Sequence, residues 1–291
     1  MWKRALVLGG GGLVGVYWES GLSAGLFERE VDLREFDAFV GTSAGAINCA
    51  RLAAGEWAPR PEDPPAPGVE GAAVDPSRLD MKALGDVFTR WSAMEGASPS
   101  AAREIGAIAR GLYRDAEQRW VTGIDALVQL RAWPDKPFFI SAVDVDSGEP
   151  AFFDASQGVP IARAIAASCA VPGIFSSVGI QGRLYMDGQL HSSTHADVLL
   201  AHPKAQKPAE VLILMPTNRH TAPGIGLQAE RAVQAEVAAL EAAGCKVRLI
   251  TPSAEDTTRL GTNLMDAQKV GDAFAVGVAT GKALARELSA G

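Results

Sequence analysis

Cysteine is scarce. The 291 residues include only Cys49, Cys169 and Cys245, far apart and without a C-x-x-C spacing. That excludes a disulfide framework or a thiolate zinc site as the organising feature, and it makes a reducing, cytoplasmic interior the default expectation. Positive charge is also short: Lys and Arg total 27 against 34 acidic residues, a net charge of −7, which argues against an extended electrostatic grip on nucleic acid or anionic lipid. No uninterrupted apolar stretch approaches the ~18 residues of a membrane-spanning helix. The expectation is therefore a soluble or membrane-peripheral protein. Internal repeats and low-complexity tracts are missing as well. Lys3 and Arg4 followed by apolar residues to Val16 imitate a secretory signal, but Gly9 to Gly12 would break its helix. Residues 4–8 are read as the first strand of the fold, with a cleaved signal as the alternative.

With 47% hydrophobic and 21% charged residues, the chain can bury a substantial core. The strand at 4–8 leads through a glycine loop into a helical pattern over 15–27. A second apolar strand at 36–40 leads through Gly41-Thr42-Ser43-Ala44-Gly45 into a helix at 46–54. Strand, helix, strand, helix predicts an α/β fold with a mostly parallel central sheet and helices on both faces. Residues 58–77 are rich in proline and glycine and read as a surface loop. Helical patterns at 79–94, 101–112 and 116–130 follow without strands of their own, so a helical insertion at about 79–131 is expected within a single domain, 1–291. Strands are expected at 137–143, 151–153, 211–215 and 247–250, with a single apolar segment at 180–186 that ends at Asp187-Gly188. Helices are expected at 160–167, 228–243 and 263–288.

Gly41-Thr42-Ser43-Ala44-Gly45 is a G-x-S-x-G between an apolar strand and a helix, the context in which a serine on a tight turn exposes its hydroxyl. The same pentapeptide also suits a plain turn with an N-capping serine. Gly9 to Gly12 lie in the equivalent strand-to-helix position, so both loops are expected at the carboxyl edge of the sheet, where backbone N–H groups can approach an oxyanion. Gly10, Gly12 and Gly15 equally satisfy a dinucleotide fingerprint, with Asp32 about 20 residues on. Against that reading, Asp32 precedes the second strand instead of following it. For a base, the carboxylate of Asp187 competes with His191 and His195, the latter oriented by Asp144 or Asp154 in a Ser–His–Asp arrangement. Asp187-Gly188 by spacing alone is also an ordinary turn dipeptide. Arg103, Arg110 and Arg114 fall on one helix face near Tyr113 and Trp120. They form a solvated basic face or, alternatively, a peripheral membrane contact.

Four ordered blocks, Gly10-Gly11-Gly12-Leu13-Val14-Gly15, Gly41-Thr42-Ser43-Ala44-Gly45, 167–175 (Ala-Ser-Cys-Ala-Val-Pro-Gly-Ile-Phe) and Asp187-Gly188, resemble the patatin-like phospholipases in order and spacing. The resemblance implies a patatin-like fold and a Ser–Asp dyad without histidine. It also implies hydrolysis of lipid acyl esters through an acyl-serine, with no metal and no cofactor. Carried over by position, Ser43 is the nucleophile, Asp187 the general base, and Gly10, Gly11 and Gly12 the oxyanion loop, with the N–H groups of Gly11 and Gly12 as the donors. Segment 171–175 is expected to be structural and to supply an apolar wall. The implied partner is a lipid or other acyl ester, not nucleic acid. Two positions depart from the family pattern: Val14 stands where a basic residue is usual, and Gln189 where a third small residue follows Asp187-Gly188. Acyl transfer on the same serine, and acyl or nucleotide binding without turnover, are the other functions this pattern allows.

Overall fold

In the computed structural model, residues 2–63 and 76–290 are described. The prolines and glycines at 64, 65, 67, 68 and 71 of the expected surface loop lie outside the described residues. Strands β1 (Arg4–Leu8), β2 (Ala38–Gly41), β3 (Phe138–Asp144), β4 (Pro150–Phe153), β5 (Val178–Ile180), β6 (Arg183–Asp187), β7 (Glu210–Leu214) and β8 (Lys246–Ile250) form one sheet in the order β5-β6-β3-β2-β1-β7-β8, with β4 also on β3. The pairings β1 with β2 and β7, β2 with β3, and β7 with β8 are parallel; β3 with β4 and β6, and β5 with β6, are antiparallel. The expected mostly parallel α/β sheet is present.

The central strands read as continuous apolar runs because both of their faces are covered. Leu6, Leu8, Phe39, Ile140, Leu212 and Leu214 point into one core, shared with α1 (Gly12–Phe27), α2 (Ala44–Ala53), α5 (Glu117–Val128), α6 (Ile161–Ser168) and α10 (Val270–Ala290). Their alternating neighbours, Ala5, Val7, Val40, Phe139, Val211 and Ile213, pack against α7 (Val198–Ala201) and α8 (Gly226–Ala242). Inside the 79–131 stretch, α3 (Met81–Ser92) starts at Asp80, whose carboxylate accepts the N–H groups of Lys82 and Ala83, and α4 (Pro99–Ala109) starts at Ser98 with Pro99 behind it. Val87, Trp91 and Ile105 of these two helices cover Val143, Met186 and Leu190 at the antiparallel end of the sheet. The remaining short helix, α9 (Thr257–Leu260), precedes α10.

Three expectations are corrected. The first helix begins at Gly12, not residue 15, so the glycine loop itself opens the helix. The single apolar segment expected at 180–186 is divided between two strands of a hairpin, because Gln181 and Gly182 both adopt positive φ (49° and 82°) and reverse the chain between β5 and β6. The last helix starts at Val270, leaving 263–266 as a wall segment whose Leu264 carbonyl accepts the Val14 N–H at 2.9 Å.

One topological detail positions everything that follows. β2 pairs with β3 over Phe138–Ile140, and β6 pairs with β3 over Ala142–Asp144, while β4 occupies the other edge over Ile140–Val143. β2 and β6 therefore lie end to end along the same edge of β3. Because β2 runs parallel and β6 antiparallel to β3, their carboxyl ends face each other.

Candidate active site

Ser43 leaves the end of β2 with φ 52° and ψ −117° and starts α2. A non-glycine residue in that region is strained by about 1–3 kcal/mol, and the surrounding packing enforces it. A Cβ on Gly45 would lie 2.0 Å from the Leu8 carbonyl oxygen, and one on Gly41 would lie 2.6 Å from the Ala46 Cα. Only glycines let α2 sit this close to the end of β1. The Ser43 N–H donates to Ser168 Oγ (2.8 Å) at the end of α6.

The Ser43 hydroxyl donates to Asp187 Oδ2 at 2.8 Å, across 144 residues of sequence. The other carboxylate oxygen, Oδ1, accepts the Gln189 N–H at 2.9 Å. Asp187 is fully buried, and desolvation outweighs those two hydrogen bonds, pushing its pKa from 3.8 up to about 7. Cys169 is buried alongside; burial and the neighbouring Asp187 charge push its thiol well up, which keeps it protonated and a poor nucleophile.

The histidine alternatives are placed elsewhere. His195 is buried with Nε2 3.0 Å from the Gly188 carbonyl oxygen, and desolvation, then His191, lowers its pKa to about 3. In its neutral ring the nitrogen facing that carbonyl must carry the hydrogen, so His195 donates to the turn behind Asp187. His191 stacks on His195 with ring centroids 5.4 Å apart. Asp144 is paired with Arg183 at 2.6 Å, and Asp154 faces His202 and Lys204 at 3.7 Å. Neither carboxylate orients His191 or His195. The acidic residue of the dinucleotide alternative is placed elsewhere too. Asp32 precedes β2, at the opposite edge of the sheet from the glycine loop, and pairs with Arg34 at 2.8 Å.

The glycine loop of β1 lies beside Ser43, tied to it by Gly45 N–H to Gly9 O (3.1 Å) and Thr42 N–H to Leu8 O (3.1 Å). Of its three expected members, Gly10 has its N–H committed to Ser193 O at 2.8 Å, so it shapes the loop without an available donor. The N–H groups of Gly11 and Gly12 donate to no group among the described residues, and neither does that of Ala44, the first residue of α2. Gly12 has φ +57°, a conformation that favours glycine. The free N–H of Ala44 was not among the expected loop donors; its signal is the position directly after the serine of the G-x-S-x-G. Gln189 does not crowd the serine. Its Nε2 donates to Thr217 Oγ1 (3.0 Å), which donates to the Gly10 carbonyl (2.7 Å). That relay links the Asp187 turn to the glycine loop.

Two cavities meet at Ser43. One of about 240 Å³ runs along α5 and is walled by Leu13, Ile47, Trp120, Ile124, Leu127 and Phe175. Trp120 stacks on Phe175 at 4.0 Å, and its indole N–H is fixed by the Ala166 carbonyl at 2.9 Å. The other, about 260 Å³, lies along α3 and includes Phe88, Trp91, Ile174, Gln189 and Asn263. Segment 171–175 thus supplies the expected apolar wall. The single helix face expected for Arg103, Arg110 and Arg114 is not formed, because α4 ends at Ala109 and Arg114 opens a separate short helical turn (Arg114–Ala116); Arg110 pairs with Asp146 and Arg114 with Glu117, while Arg103 is exposed. Among the described residues no helix is long and apolar enough to cross a membrane, and no group of three or more His, Cys, Asp or Glu side chains is placed to hold a metal ion.

The family model described as patatin-like phospholipase matches residues 6–200, about two thirds of the chain, and the chain belongs to that family. No match is found among curated proteins. Similar solved structures include the type III effector ExoU (16% identity, 98% of this chain and 53% of ExoU covered, TM-score 0.41) and VipD from Legionella pneumophila (14% identity, 98% and 67% covered, TM-score 0.46). ExoU from Pseudomonas aeruginosa in complex with SpcU is a third (17% identity, 95% and 53% covered, TM-score 0.35). The chain spans about half the length of ExoU.

Proposed function

We propose that this patatin-like phospholipase family member hydrolyses lipid acyl esters through an acyl-serine on Ser43, with Asp187 as the general base. The observation that carries the proposal is the 2.8 Å hydrogen bond from the strained Ser43 hydroxyl to the buried Asp187 carboxylate. Ionised Asp187 takes the Ser43 proton as the oxygen attacks the ester carbonyl. The developing oxyanion is received by the N–H groups of Gly11, Gly12 and Ala44, reinforced by the N-terminal ends of α1 and α2. The proton on Asp187 passes to the leaving alcohol. Water then enters and gives a proton to Asp187 as it attacks the acyl-serine carbonyl, and Asp187 returns that proton to the departing Ser43 oxygen as the fatty acid is released. A pKa of about 7 suits a carboxyl that must both accept and return a proton near neutrality.

The test is turnover of a p-nitrophenyl ester series, with fluorophosphonate labelling alongside, by wild type, Ser43→Ala, Asp187→Asn and the His191→Gln/His195→Gln double variant. Loss in the first two variants and survival in the third is expected. If the histidine variant loses turnover while Asp187→Asn retains it, the dyad is wrong. If wild type neither labels nor turns over any ester, the hydrolase proposal fails.

A further inference from the structure

The ester that reaches Ser43 has two arms, and the two cavities differ in what they offer each. Both share Gly12, Ser43, Val171 and Met265, so a carbonyl held at the oxyanion donors sends one arm into each. The α5-side walls are aliphatic and aromatic, and apart from Ser43 their polar groups are confined to Tyr17 and the protonated thiol of Cys169. This is the environment an acyl chain needs. The α3-side cavity mixes Phe88, Trp91 and Ile174 with the amides of Gln189 and Asn263 and the hydroxyl of Thr262. Uncharged hydroxyls match that lining.

Among the described residues neither cavity is lined by a single Lys, Arg, Asp or Glu. The sequence of residues 64–75 holds no Lys or Arg. Of the cations next to the α3-side lining in sequence, Arg90 pairs with Glu104 at 2.5 Å, Arg219 with Glu230 at 2.5 Å and Arg259 with Asp272 at 3.0 Å. Meanwhile the Asp187 carboxylate lies directly behind Ser43. A phosphate close to the scissile ester would lose water against apolar walls, meet no cation, and raise the cost of ionising the base.

We infer that the substrate is an uncharged acyl ester, with its chain in the α5-side cavity and a neutral alcohol, of the mono- or diacylglycerol type, in the α3-side cavity. This inference rests on the ester-hydrolase proposal and narrows it to neutral lipids. The experiment compares kcat/KM of the full chain on 1-oleoylglycerol, 1-oleoylglycerol-3-phosphate and 1-oleoylglycero-3-phosphocholine, which share one acyl chain, in nonionic detergent micelles. The neutral ester should exceed both phosphate-bearing esters by about tenfold or more. Equal or faster turnover of either phosphate ester overturns the inference while leaving the hydrolase proposal standing. No turnover of any of the three or of p-nitrophenyl esters defeats both.

Two variants test the cause. Asn263→Lys, which adds a cation to the α3-side cavity, should narrow the neutral-to-phosphate ratio severalfold. Leu127→Trp, which fills the α5-side cavity, should lower the oleoyl-to-butyryl ratio by about tenfold. A ratio unmoved by its variant overturns the assignment of that arm.

Discussion

Replacing Asp187 with asparagine should remove activity and at the same time make the protein more stable above neutral pH. The side chain is fully buried, and its pKa rises from 3.8 to about 7 because water is excluded, not because of a nearby charge. Below its ordinary pKa the carboxyl is protonated in folded and unfolded chains alike, so the buried site carries no ionisation penalty. As pH rises, the unfolded chain loses the proton first while the folded chain holds it, and stability falls until the folded group ionises near pH 7. A shift of that size corresponds to ~4 kcal/mol of stability lost across the window. Asparagine keeps the shape, accepts the Gln189 N–H through Oδ1, can donate to the Ser43 oxygen, and does not titrate. Urea unfolding of wild type and Asp187→Asn from pH 4 to pH 8.5 should therefore show the variant gaining on wild type by up to ~4 kcal/mol as pH rises. Glu236, held up at about 7, and Glu19, held well above its ordinary value, are both shifted by burial, but they titrate in both proteins and cancel in the difference. Ester turnover in the same variant should drop by about 10²–10⁴-fold. A difference that stays flat across the pH range, or that moves in favour of wild type as pH rises, would show that Asp187 is not held neutral by burial.

In wild type, kcat/KM should climb about tenfold per pH unit at acid pH and level off above about 7, as one group ionises; a plateau already reached near pH 4 would contradict a raised Asp187. Ser43→Gly should be more stable than Ser43→Ala by about 1 kcal/mol or more in thermal denaturation, since both lose the hydroxyl and only glycine tolerates φ 52° without strain. Equal stabilities would mean that the turn carries no strain. Gln189→Ala should cut kcat by about tenfold with KM little changed, because it severs the relay through Thr217 to the Gly10 carbonyl. Thr217→Val should reproduce the effect, and a pure KM change in either variant would place Gln189 in substrate binding instead.

Much of this molecule is fixed locally. The apolar runs at β1, β2 and β7 require burial on both faces, which only a parallel sheet between helices supplies. Gly41 and Gly45 bracket a serine between strand and helix, and the glycine loop repeats that context one strand earlier, so both ends of the site were legible before any fold was known. The hairpin at Gln181-Gly182 was missed because a two-residue reversal interrupts the apolar pattern too briefly for periodicity to register it. Which N–H groups of the glycine loop stay free was legible only in part, since a hydrogen bond from Gly10 to Ser193, distant in sequence, decides it. The residues alone left Asp187 and the histidines as rival bases, and the family resemblance chose Asp187. The tertiary structure separated them: β6 meets β2 end to end on the edge of β3, which delivers Asp187 to Ser43, while His195 turns its ring to the carbonyl of Gly188. The charge state of that carboxyl is likewise a property of the fold, because desolvation depends on what surrounds a group in space and not on its neighbours in the chain.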